Sequence, residues 1–280
     1  MPYLGEEIKK LGFGMMRLPE KDGAIDIEQV KEMTDLFMEA GFTYFDTAWA
    51  YNGSEDAVRQ VLVERYPRES FQLATKNAAW INCKNREDAI AQFDVSLERT
   101  GAGYFDFYLL HNLGESRTRY FDEFGMWSWI QEKKAEGKIK HIGFSFHSTP
   151  EELEELLTAH PEMEFVQLQI NYYDWESENV QSRKCYEVAE KHGVPVIVME
   201  PVKGGTLANM VGEPARILSA LDENASYASY AVRYAASLPN VILVLSGMSD
   251  LKQLQDNTAY MKDFQPLTDK EQQAIGKVVE

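Results

Sequence analysis

Eight short apolar runs alternate with eight amphipathic stretches along this chain, at roughly 30-residue spacing, and that alternation limits its fold more than any other feature. The runs are LGFGMM (11–16), TYFDTA (43–48), FQLATK (71–76), FDFYLLH (105–111), HIGFSF (141–146), FVQLQIN (165–171), VPVIVME (194–200) and VILVLSG (241–247). Helical periodicity fills the gaps near 27–40, 54–65, 86–100, 121–136, 150–159, 178–192, 225–237 and 250–262. Start signals stand at Ser54, at Asn85 and at Thr149-Pro150, where proline suits the first helical position. Gly41, Gly101, Gly137 and Gly193 each close a helix ahead of the next run.

Strand–helix units repeated eight times predict a closed (β/α)8 TIM-type barrel, an α/β fold, as a single domain over residues 1–280. An open doubly wound sheet uses the same units. The count of eight, and the lack of G-x-G-x-x-G at any strand-to-helix turn, favour the barrel. A length of 280 residues suits one barrel, and 44% hydrophobic residues suffice for its core. No run approaches the ~18 apolar residues of a membrane span, and the start MPYLGEEIKKLGFG has no secretory h-region. Two cysteines, Cys83 and Cys185, without metal-type spacing, predict a reduced cytoplasmic setting. A net charge of −17 argues against nucleic-acid binding.

In such a barrel the strand C-termini face one mouth, where chemistry collects. The run ends supply Asp46, Lys76, His111, Ser145, Gln167 and Gln169, Glu200 and Ser246. Each residue alone fits a solvated strand end or a structural hydrogen bond; the set projected onto one mouth points to a site. A buried Asp46 needs a partner, and Lys76 on the neighbouring strand supplies one. An ammonium beside Tyr51 is expected to lower the phenol's pKa from its usual ~10. Tyr51 then acts as general acid toward a carbonyl oxygen, with His111 polarising the carbonyl. No nucleophile elbow, P-loop or metal-ligand spacing competes, so the hydride must come from a cofactor.

These residues resemble the aldo-keto reductase family along essentially the whole chain. GFTYFDTAWAYNGSE is similar to its Gly-x-x-x-x-Asp-Thr-Ala-x-x-Tyr signature, and LATK and YLLH match the other stations of its tetrad. The resemblance implies a (β/α)8 barrel with Tyr51 as acid/base, Asp46 and Lys76 tuning it and His111 orienting a small-molecule carbonyl substrate. It implies NADP(H) or NAD(H) bound in extended form across the mouth, with no metal. Cofactor contacts carried over are Gly14, Met15, Asp46, Ser145, Gln167, Met199, Glu200, Val202, Lys203, Gly204, Ser246, Gly247, Met248, Gln253 and Asn257.

Departures from the family pattern matter too. Phe146 stands where the family usually has Asn, and Met199 where it often stacks a tyrosine. Asp250 and Gln253 replace basic residues that hold a 2′-phosphate, so NADH is expected to serve at least as well as NADPH, with Lys252 able to compensate. FSFH, EPVKGG and SGMSDLKQL resemble a branch that often continues into a cysteine-rich iron–sulfur extension, about where LTDKEQQAIGKVVE ends here. Two cysteines are too few for a cluster, and no redox partner is named by the sequence. Trp49 and Trp80 are expected to wall the substrate pocket, with Tyr172 as a further candidate; Trp127, Trp129 and Trp175 read as packing residues. Two rival functions stand beside the reductase: a nucleotide-binding regulatory subunit with little turnover, and a hydrolase using Asp46 and Glu200, which leaves Tyr51, Lys76 and His111 idle.

Overall fold

The computed structural model describes residues 4–279. Its barrel strands are β1 (Leu11–Gly14), β4 (Tyr44–Asp46), β5 (Gln72–Asn77), β6 (Phe105–Leu113), β7 (Ile139–Phe146), β8 (Phe165–Gln169), β9 (Val196–Met199) and β10 (Val241–Ser246). They close in the ring order β1-β10-β9-β8-β7-β6-β5-β4, every neighbouring pair parallel. The expected (β/α)8 barrel is therefore the fold. An unforeseen antiparallel hairpin, β2 (Glu20–Lys21) with β3 (Ala24–Ile25), lies between β1 and the first helix.

The helices are α1 (Ile27–Glu39), α2 (Ser54–Val58), α3 (Arg86–Thr100), α4 (Thr118–Glu123), α5 (Met126–Ala135), α6 (Pro150–Ala159), α7 (Ser182–Lys191), α8 (Gly212–Ser219), α9 (Tyr227–Ser237), α10 (Leu251–Lys262) and α11 (Asp269–Val279). Asn85 and Thr149 cap α3 and α6 as expected, accepting from the amides of Asp88 and Glu152; such caps are worth about 1 kcal/mol each. Ser54 does not cap α2. Gly53, at φ 71°, precedes it, while the Ser54 hydroxyl donates to the Met15 carbonyl at 2.7 Å. The stretch expected as one helix over 121–136 breaks at Gly125, which takes φ 61° between α4 and α5. Helices α8 and α11 had no sequence signal of their own among the eight expected.

Two apolar layers result. Strand residues facing outward pack on the helices, as Phe13, Phe45 and Phe37 of α1 do in one aromatic cluster. Inside the ring, Tyr44, Phe107, Phe165, Ile197, Leu243 and Leu245 fill the lumen. Two glycines make that filling possible: a Cβ on Gly12 would lie 2.8 Å from the Leu245 side chain, and one on Gly143 only 2.4 Å from the Phe165 carbonyl oxygen. The lumen floor is thus solid, and the mouth above it is the remaining place for chemistry.

Candidate active site

Parallel pairing sets Asp46 beside Ala74 and Lys76 beside Leu109, so the acid on β4 and the lysine on β5 rise to the same end of the ring. Lys76 Nζ donates to Asp46 Oδ1 at 2.5 Å and to the Thr47 carbonyl at 2.7 Å. Gln167 of β8, four strands away around the ring, donates across the lumen to Asp46 Oδ2 at 3.4 Å. Asp46 and Lys76 are 3% and 0% exposed, so each charge depends on the other and on these hydrogen bonds.

Tyr51 arrives on a short loop pinned from several sides. The Trp49 amide donates to the Lys76 carbonyl at 3.2 Å, and the Tyr51 amide to Ala48 at 3.0 Å. Ser54 ties the loop to Met15 and, through a 2.7 Å contact with Thr47 Oγ1, to the end of β4. The phenol ring centre then lies 4.9 Å from Lys76 Nζ and 5.7 Å from the His111 ring, edge to face at 80°.

The electrostatics correct one expectation. The Tyr51 pKa is raised rather than lowered: burial dominates, the Lys76 ammonium only partly opposes it, and Asp46 and Glu200 add to the rise. The free protein therefore holds Tyr51 as a protonated phenol. Burial also works against the Lys76 ammonium, yet Asp46 and Tyr51 raise its pKa above 10.5 and keep it charged. His111 goes the other way: burial first, then the charges of Lys76, His147 and Arg117, push it well below 6.5, so the imidazole is neutral. Its Nδ1 is enclosed and has no hydrogen-bond partner among the described residues.

Of the two tryptophans, Trp80 stands at the histidine, with its ring 6.3 Å away and its Nε1 donating to the His111 carbonyl at 2.8 Å. Trp49 instead carries the Arg99 guanidinium of α3 over its ring at 5.7 Å, and Arg99 also donates to its carbonyl. Tyr172 is enclosed against Tyr234 of α9 rather than walling the mouth. Trp127 and Trp129 are buried, Trp127 stacked on His160 and Trp129 against Phe93, and Trp175 packs on Tyr186 and Tyr234. A cavity of about 350 Å³ opens beside the mouth, lined by Phe146, His147, Leu168, Gln169, Gln181 and Ser182 among others.

The positions carried over for a cofactor separate into groups. Ser145 is buried, its hydroxyl accepting the Asn112 amide at 2.7 Å. Ser246 Oγ donates to Asn257 Oδ1 at 2.7 Å, locking β10 to α10. Gly14 allows β1 to pass close to β10, since a Cβ there would sit 3.3 Å from the Ser246 carbonyl oxygen. Met15 and Met248 are core residues with essentially no exposed surface. Met199 and Val202 are half-buried, and Gly247 is exposed. Asp250 is an N-cap: its carboxylate accepts the Gln253 amide at 2.8 Å and Gln253 Nε2 at 3.0 Å, while Gln253 Oε1 accepts the Ser249 amide.

Around the loop after β9, sequence reasoning missed the charged partners. Glu200 takes φ 57° and its carboxylate accepts the Gly204 amide at 2.8 Å, while Arg17 from the loop after β1 approaches at 3.4 Å. Lys203 Nζ lies 2.5 Å from Asp174 Oδ1, and Asp174 also accepts from Asn171 and Gln169. The polar segment INYYD after β8 was the available signal for Asp174. Arg17 gave none. A backbone amide and a guanidinium already gripping a carboxylate are suited to a nucleotide's phosphates, and the enclosed His111 and Ser145 lie on the neighbouring strands β6 and β7. The donor set thus fits an anionic nucleotide. Among the described residues, no cluster of three His, Cys, Asp or Glu side chains could hold a metal ion, and no helix is long and apolar enough to cross a membrane.

Known proteins similar to this chain bear on its family and fold. An aldo-keto reductase of Mycolicibacterium smegmatis is 28% identical over 153 residues, which is 55% of this chain and 51% of that protein. The match thus spans about half the length of that relative. A Trypanosoma cruzi 9,11-endoperoxide prostaglandin H2 reductase is 25% identical over 274 residues, covering 97% of this chain and 88% of the relative. The holo form of an aldo-keto reductase from Bacillus halodurans superposes with a TM-score of 0.78 at 25% identity, over 99% of this chain and 94% of that one. A Klebsiella pneumoniae aldo-keto reductase solved with NADPH gives 0.79 at 21% identity, over 98% and 92%. The sequence model of the Aldo/keto reductase family matches residues 10–280, and with the eight-stranded barrel beneath that match the chain belongs to this family.

Proposed function

We propose that the chain reduces the carbonyl of an aldehyde or ketone to an alcohol, with NADPH or NADH as reductant and Tyr51 as the proton donor. The observation that carries this reading is the enclosed Lys76–Asp46 pair set beneath a protonated Tyr51 and beside a neutral His111. A reduced nicotinamide, when bound, supplies the hydride to the carbonyl carbon. The neutral His111 imidazole donates an N–H to the carbonyl oxygen and so orients it. Tyr51 passes its proton to that oxygen as negative charge develops there. Lys76 stabilises the phenolate left behind, and Asp46 keeps Lys76 in place and charged. The NADPH bound by the Klebsiella protein supports the choice of cofactor. Cysteine use and a net charge of −17 support a cytoplasmic enzyme acting on small molecules.

The test follows the absorbance of NADPH and NADH against a panel of aldehydes and ketones. Tyr51→Phe should lower turnover about 10²–10⁴-fold, the range for a lost general acid. Binding without consumption by the unaltered protein would favour a nucleotide-binding regulator, and neither binding nor consumption would end the reading.

A further inference from the structure

In the free protein the cations around the loop after β9 are already paired with carboxylates. Glu200 directs its carboxylate back onto the Gly204 amide at 2.8 Å, and Arg17 pairs with the same carboxylate at 3.4 Å from the far side of the ring seam. The bridge runs from the segment after β1 to the segment after β9, with β10 between them. Glu200 holds a left-handed φ of 57°, which a side chain adopts at a cost, and Asn171 Nδ2 and the Lys203 amide fix its carbonyl at 3.1 Å each. The other cation of this loop, Lys203, is likewise committed, to the buried Asp174.

We propose that Glu200 is an internal stand-in for the cofactor's diphosphate: it occupies the Gly204 amide and Arg17 in the free protein, and the nucleotide must displace it to seat. The inference rests on the nucleotide-dependent reading above and goes beyond it, because it makes Glu200 a competitor of the cofactor rather than a contact. The groups carry this through their chemistry. A backbone N–H and a guanidinium each form their strongest hydrogen bonds with an anion, and a phosphate oxygen offers what a carboxylate oxygen offers. The bridge is half in solvent, with Arg17 52% and Glu200 35% exposed, so exchanging one anion for another there does not strand a buried charge. Asp174 is different: at 3% side-chain exposure and with Gln169, Asn171 and Lys203 all donating to it, it stays where it is.

The experiment titrates NADPH and NADH into the unaltered chain and Glu200→Gln, read by quenching of tryptophan fluorescence, with inorganic pyrophosphate as competitor. Glutamine keeps the size and the backbone demand of Glu200 but not its charge. The expected result is about ten-fold tighter NADPH binding by Glu200→Gln, with the inhibition constant of pyrophosphate against NADPH lowered by a similar factor. Stopped-flow mixing gives a second readout that needs no variant. If the bridge must open first, the observed rate for the unaltered protein levels off as NADPH rises. Equal or weaker NADPH binding by Glu200→Gln, or a rate that climbs linearly to the fastest mixing conditions, overturns the inference while leaving the reductase reading intact. Absence of nucleotide binding by both proteins overturns both.

Discussion

Replacing Lys76 and Asp46 singly and together separates what the buried pair does for the fold from what it does for chemistry. Lys76→Met leaves Asp46 at 3% exposure with only the 3.4 Å contact from Gln167. Breaking a buried pair by removing one partner costs about 3–5 kcal/mol. Burial already pushes the Asp46 carboxyl up, so it can take a proton and hold the loss toward the lower figure. For a chain of 280 residues the unfolding entropy near the midpoint is about 0.6 kcal/mol/K, so the melting temperature should fall by about 5–8 °C. Asp46→Leu alone leaves a charged Lys76 at 0% exposure and should cost at least as much. The double replacement removes both charges, and apolar substitutes for a buried pair are often neutral or stabilising. It should therefore recover most of the lost stability in urea titrations while recovering none of the carbonyl reduction, since Tyr51 then lacks the cation that stabilises its phenolate. If either single change costs less than about 1 kcal/mol, or the double variant reduces aldehydes at the normal rate, the coupling argued here is wrong.

Further outcomes can be stated briefly. The rate of reduction should be level through neutral pH and fall only as pH rises through the raised Tyr51 pKa, above 10.0, because the phenol must be protonated to act; a limb near 6.5 would contradict the neutral His111. Asp250→Ser keeps a cap on α10 but removes the carboxylate, so NADPH should bind more tightly relative to NADH, measured as the ratio of dissociation constants. Against the cost of burial, the nearby His141 ring, the Lys134 ammonium and the hydrogen bond from the Ile142 amide hold the Glu164 carboxyl at about 2. Its contribution to stability is then present above the usual 4.5 and lost as pH falls from 4.5 toward 2; acid unfolding of Glu164→Gln should lack that component.

What the sequence made legible follows from what local chemistry can encode. Most barrel-strand residues are buried on both faces, so the strand signal is a nearly continuous apolar run and survives without knowledge of its neighbours. Lys76 and Asp46 could be paired in advance because sequential strands in this fold are adjacent. The sign of the Tyr51 shift could not, since it depends on how completely the finished mouth excludes water. Glu200 illustrates a second limit: its left-handed backbone and its reach to Arg17, 183 residues away, exist only in the assembled ring. Residues 54–65 read as one helix, yet α2 loosens into a wider turn over Arg59–Val63, a change of hydrogen-bond register that apolar spacing does not record. Asp250 read as a determinant of cofactor choice because it stands where the family pattern has a basic residue. The same carboxylate at the start of α10 equally well satisfies the helix's own amides, and the structure shows that use.

The hydrogen bond from Gln167 to Asp46 joins two strands that stand diametrically opposed. An unrolled sheet would hold those residues several strand widths apart, so the contact exists only once β1 and β10 have met and the cylinder is sealed. During refolding, helical content can return while the sheet is still open. Nucleotide binding should return later, with the final stitching of the seam, which makes the ligand a reporter of ring closure rather than of secondary structure.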